Sequence, residues 1–131
     1  MKNLLTIFTL LLTFTFPSTS FAGWTKVSES VIGDTFYVDF ERVRKHDGYV
    51  YFWTLTNFHK PVPTTGHLSA KALEELDCKT PRKKRRLSIS GYKEAMAVGI
   101  ADITSSKTGE WVYFQPNSTS ELIAETVCQI N

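Results

Sequence analysis

The sequence predicts an α+β fold: a small antiparallel β-sheet of about six strands, a C-terminal α-helix packed on it, and one disulfide. Three observations carry this expectation. Apolar and polar residues alternate in several short runs, the period of a strand with one buried side. From Ser118 onward the pattern changes to helical spacing behind a capping sequence. The chain also contains just two cysteines, Cys78 and Cys128.

The N-terminus sets the compartment. Met1-Lys2-Asn3 is a short basic start, Leu4 to Phe16 is apolar, Pro17 breaks the run, and Ser20-Phe21-Ala22 places small residues where a signal peptidase reads. Residues 1–22 therefore read as a secretory signal peptide, too short for a spanning helix, and residues 23–131 as a single domain. The expected location is the periplasm, or the cell surface or medium. No cysteine adjoins the cleavage site, so a lipid anchor is not expected, and no transmembrane segment is expected elsewhere. Of the 15 basic side chains only Lys2 belongs to the leader, leaving 14 against 13 acidic ones. Any electrostatic function must then come from local clustering. In an oxidising compartment two cysteines have one intramolecular pairing, Cys78 with Cys128. Closing a loop of roughly 50 residues is worth about 4 kcal/mol by chain entropy.

Trp24 to Ser28 reads as a first strand and Val31 to Asp34 as a turn. In Thr35 to Phe40, residues Phe36, Val38 and Phe40 share one face. Asp47-Gly48 between strand-like runs is a hairpin signal, because a type I′ turn needs positive φ at both central positions. Tyr49 to Phe58 is apolar on both faces, with Tyr49, Tyr51, Trp53 and Leu55 on one and Val50, Phe52 and Phe58 on the other. Such a strand is central and covered twice, so its second face needs a loop or the partner of a homodimer. His59 to His67, with Pro61, Pro63 and Gly66, is a loop. Ser69 to Leu76 is ambiguous: its residues are good helix formers and Leu68, Ala72, Leu73 and Leu76 would share a helical face.

Arg82 to Gly91 reads as a strand, with Leu87 and Ile89 toward the core and Arg82, Lys84 and Arg86 toward water. Cys78 shares the outward parity yet must meet a partner, so a break in pairing is expected at Thr80-Pro81. Met96 to Thr104 and Glu110 to Gln115 read as two more strands. Ser118 is the expected N-cap, with Glu121 reaching back, and Leu122, Ile123, Thr126, Val127 and Ile130 would line one side of the helix. Cys128 falls off that stripe beside Ala124, so the helix is expected to end before it.

The densest charge is Arg82-Lys83-Lys84-Arg85-Arg86. It is a surface for polyanions or acidic proteins, or a solvated edge strand that charge guards against aggregation; without aromatics inside the run, nucleic acid is not expected. His46, His59 and His67 match no metal-ligand spacing, and Ser69, Ser88 and Ser90 lack a nucleophile elbow. Asp39, Glu41 and Asp47 sit beside no nucleophile. The reading is a non-enzyme without metal or cofactor. Trp24, Trp53 and Trp111 are core residues or parts of an interface.

An ordered set of residues carries a resemblance: Trp24, Tyr37-Val38-Asp39, Gly48-Tyr49-Val50, Trp53-Thr54-Leu55, Ser69-Ala70-Lys71, Asp77-Cys78, a basic strand, Tyr92, Met96, Gly99, Trp111, Pro116-Asn117-Ser118 and Cys128. Across the mature chain this resembles the bacterial surface-adhesin protein E family. The resemblance implies an antiparallel sheet with a C-terminal helix held by the disulfide, and it turns Ser69–Asp77 into a strand. It also implies adhesion to host extracellular-matrix or serum proteins such as vitronectin and laminin, with the basic run as the contact region. The missing anchor cysteine is a departure from an adhesin held on the surface. The alternative is a periplasmic structural or small-ligand-binding protein in which the basic run only solubilises.

Overall fold

A computed structural model describes residues 23–130, and the leader assigned to residues 1–22 lies outside the described residues. The architecture is one antiparallel sheet with one helix across it. Its strands are β1 (Trp24–Glu29), β2 (Thr35–Asp39), β3 (Arg44–His46), β4 (Tyr49–Asn57), β5 (Ser69–Asp77), β6 (Lys83–Tyr92), β7 (Ile103–Ser105) and β8 (Val112–Tyr113); the helix α1 is Thr119–Gln129. The order across the sheet is β1-β2-β4-β5-β6-β7. β3 lies end to end with β2 along β4, and β8 with β7 along β6, so eight short strands occupy six positions.

The hairpin between β3 and β4 forms as its turn chemistry predicts, with Asp47 at φ 51° and Gly48 at φ 83°. Between β2 and β3 a 3-10 turn, Phe40–Arg42, interrupts the rail, and Asp39 accepts from the Glu41 N–H at 3.1 Å. Ser69–Asp77 is a strand despite its helix formers. It holds nine-residue ladders to β4 and to β6, and that pairing overrides local propensity.

Three expectations are corrected. Met96 to Thr104 is mostly irregular, and only Ile103–Ser105 pairs; the Glu110–Gln115 run keeps only Val112–Tyr113. The helix runs through Cys128 to Gln129, so the disulfide joins its flank. Its buried side is Ile123, Ala124 and Val127, with Leu122 exposed, which rotates the apolar stripe toward Cys128. Finally, β6 lies inside the sheet, between β5 and β7/β8, so its charge does not guard an edge.

The core lies between α1 and one sheet face: Val38, Val50, Phe52 and Leu76 beneath Ile123, Ala124 and Val127. Ser118 caps the helix by accepting the Glu121 N–H at 3.2 Å. The reciprocal half of the capping box is not used, because the Ser118 N–H donates to the Gln115 carbonyl. Cys78, just past β5, bonds Cys128 and ties the end of α1 to the β5–β6 turn, with Cα atoms 5.9 Å apart. Pairing does break at Thr80-Pro81, because the chain reverses there: Asp77 already pairs with Lys83.

The opposite sheet face is covered at one end only. Segment 93–102 folds against the end of β4 and the start of β5, where Leu55 is 1 % exposed. It is held by Ser69 Oγ donating to the Glu94 carbonyl (2.6 Å), by the Ala97 N–H donating to Ser69 Oγ (2.8 Å), and by the Met96 N–H donating to Asn57 Oδ1 (2.8 Å). His67 pins the same segment through Asp102 at 2.8 Å, and its ring lies on Gly91, where a Cβ would come within 2.5 Å of Nδ1. A loop is thus the cover for this end, and the other end stays open.

Candidate binding face

Directly opposed residues in an antiparallel sheet share a face, so register alone assembles the open surface. One row reads His46, Tyr49, Asp77, Lys83 and Tyr113; the next reads Arg44, Tyr51, Glu75 and Arg85; a third places Trp53 beside Leu73. Aromatic and cationic side chains therefore share this face across five strands, with the carboxylates of Asp77 and Glu75 between them on β5.

The second row is a bonded network. Tyr51 donates its hydroxyl to one oxygen of Glu75 at 2.6 Å, and Arg85 Nε donates to the other, also at 2.6 Å. Glu75 is 6 % exposed, and the two donors satisfy a buried carboxylate that would otherwise be costly. The hydrogen bond to Glu75 holds the Tyr51 phenol above its ordinary pKa, with burial adding to the shift. Trp111, from the loop before β8, stacks on Tyr49 with ring centroids 5.8 Å apart. Arg85 lies 4.5 Å and Lys83 5.0 Å from the Trp111 ring, both within cation–π range. Lys71 sits over Trp53 at 5.1 Å. Tyr113 is 65 % exposed.

The five basic residues of the predicted run do not form one outward stripe. A register shift between Leu73 and Glu74 on β5 breaks the parity of β6. Lys83 and Arg85 reach the open face. Lys84 and Arg86 point to the helix side, where Lys84 donates to Ser120 Oγ at 3.3 Å and Arg86 Nε lies 3.8 Å from Glu74. Arg82 is half-buried in the β5–β6 turn, its Nε without a hydrogen-bond partner. Glu74 is 4 % exposed, and burial pushes its carboxyl above the ordinary range while Lys84 and Arg86 pull it back.

The three histidines stay apart, each beside a different aspartate: His46 with Asp47, His59 with Asp34, and His67 with Asp102. The histidine bonds hold Asp34 and Asp102 below the ordinary carboxylate range. Sequence reasoning named Trp53 and Trp111 as core or interface residues; they stand half-buried on the open face with Tyr49 and Tyr51, which it had assigned to packing. The available signal was the double-sided apolar pattern of β4 in a chain with a single helix to cover it.

A family model described as surface-adhesin protein E matches residues 24–129. Among solved structures, crystal form II of Haemophilus influenzae protein E aligns with a TM-score of 0.66 at 17% identity, covering 82% of this chain and 87% of that one. A second structure of Haemophilus influenzae protein E gives 0.63 at 18%, covering 82% and 84%. Protein E from non-typeable Haemophilus influenzae gives 0.60 at 15%, covering 86% and 79%. At these identities the solved structures speak for the fold. No curated protein sequence matches significantly.

Proposed function

Because the chain belongs to the surface-adhesin protein E family, we propose that it is an exported, non-enzymatic adhesion module that binds acidic surfaces of extracellular-matrix or serum proteins. The carrying observation is that Lys83 and Arg85 of β6 stand against Trp111, with Lys83 also opposite the exposed Tyr113. Tyrosine, tryptophan and arginine are the residues that dominate protein interfaces, and here they flank Lys83, which opposes Asp77 across the ladder but makes no ion pair with it among the described residues. Among the described residues no helix is long and apolar enough to cross a membrane.

One observation favours the second reading, a periplasmic module without adhesive role: Lys84, Arg85 and Arg86 are already engaged by Ser120, Glu75 and Glu74. The test uses the mature protein on immobilised vitronectin and laminin over a salt series. Lys83→Gln combined with Tyr113→Ser leaves the Arg85–Glu75 pair intact, and it is expected to weaken binding about tenfold and flatten the salt dependence. Equal, salt-insensitive binding by both proteins removes β6 from the account. Complete protection of the native protein from protease added to intact cells would remove adhesion itself.

A further inference from the structure

A second feature of the open face lies two strands away from Lys83. The 3-10 turn and β3 rise beside β4 and leave a cleft of about 670 Å³. Its floor is Tyr51, Trp53 and Leu73, and its wall is Arg42, Arg44 and His46, with Lys45 touching only the border because it opposes Val50 on the helix side. No carboxylate lines it. Arg42 is committed to Asp39 and His46 lies beside Asp47, whereas Arg44 and Lys45 make no ion pair among the described residues.

We propose that this cleft binds an acidic saccharide. The volume falls in the range of about 300–1,000 Å³ usual for small-ligand sites, whereas a folded protein partner buries about 800 Å² per side on a broader surface. The lining is divided as such a ligand requires: an apolar, aromatic floor for the C–H face of a sugar ring, and a one-sided cationic wall for carboxylate or sulfate groups at its edge. Tyr51 is fixed for that role, since its hydroxyl is bonded to Glu75 and its ring orientation is thereby set. Lys71, held over the Trp53 ring, adds a cation at the border. The register explains the placement: Arg44 opposes Tyr51 directly, so the cation and the ring share one face.

Calorimetric titration of the mature protein tests the assignment with four probes: a heparin tetrasaccharide, a hyaluronan tetrasaccharide, neutral chitotetraose and a hexaglutamate peptide. The sulfated and the carboxylate-only saccharides distinguish which anion is read, and saturable one-to-one binding of either supports the site. Arg44→Gln, on an exposed three-residue strand, is expected to weaken that binding about tenfold or more, and Lys45→Gln, on the other face, to weaken it less. Lys83→Gln is expected to leave it unchanged, which separates this cleft from the β6 surface and lets either reading fail alone. Wild-type affinity in the Arg44→Gln variant overturns the proposal. So does chitotetraose binding as tightly as the acidic saccharides, or hexaglutamate doing so, which would assign the cleft to an acidic peptide.

Discussion

At the scale of single residues, the sheet holds two adjacent buried glutamates with opposite electrostatic situations. Glu75 accepts two short hydrogen bonds from Tyr51 and Arg85. Glu74, its neighbour on the other face, has only Arg86 at 3.8 Å and is dominated by burial. The folded-state pKa of Glu74 is raised, so the folded protein binds its proton more readily than the unfolded chain does. Ionised Glu74 therefore opposes folding at neutral pH, and the penalty is relieved as pH falls through the raised pKa toward the ordinary 4.5. Glu74→Gln should thus raise the urea midpoint at pH 7, with the advantage shrinking by pH 4. The half-exposed Arg86 that it releases costs little. A lower midpoint for the variant at pH 7 would show that the Arg86 and Lys84 attractions outweigh desolvation.

At the scale of elements, the helix depends on its first turn. Ser118 supplies the side-chain cap, Thr119 Oγ1 meets Ser28 Oγ at 2.9 Å, and Ser120 meets Lys84. Ser118→Ala should cost about 1 kcal/mol in unfolding free energy, and Ser118→Gly only a few tenths. Equal losses from the two substitutions would place the effect outside the cap. Elements also show what could be read in advance. Asp47-Gly48 and the alternation of β2 declared the first hairpins, because turn chemistry and period are local properties. β5 was ambiguous because Ala, Leu, Glu and Lys favour a helix in isolation, and only ladders on both sides decide otherwise. The split of the basic run was invisible for a different reason. A register shift at Leu73/Glu74 changes which side of the sheet Lys84 and Arg86 face, and no residue type in β6 announces it. The candidate face itself consists of half-exposed aromatics, whose burial is a property of the whole sheet.

At the scale of the molecule, one helix, one sheet face and one covalent bond share the task of closing the core. Among the described residues the disulfide is the only covalent cross-link between α1 and the sheet, and its sequence separation of 50 residues makes it effective against the unfolded chain. The double variant Cys78→Ser with Cys128→Ser should lose about 4 kcal/mol of unfolding free energy, out of a total of roughly 5–15 kcal/mol for a domain. A loss below about 1 kcal/mol, read from urea unfolding, would mean that the docked helix alone closes the core.

The placement of α1 has a further consequence, for the order in which the molecule can assemble. Each pairing in the sheet joins a strand to the next one along the chain or, for β2 with β4 and β6 with β8, to the next but one, so the meander can zip largely hairpin by hairpin. The helix has no such neighbour: Thr119 meets Ser28 across 91 positions. The longest loop closure of the fold is therefore left to its last element, one short helix seated on a surface that the hairpins can build first.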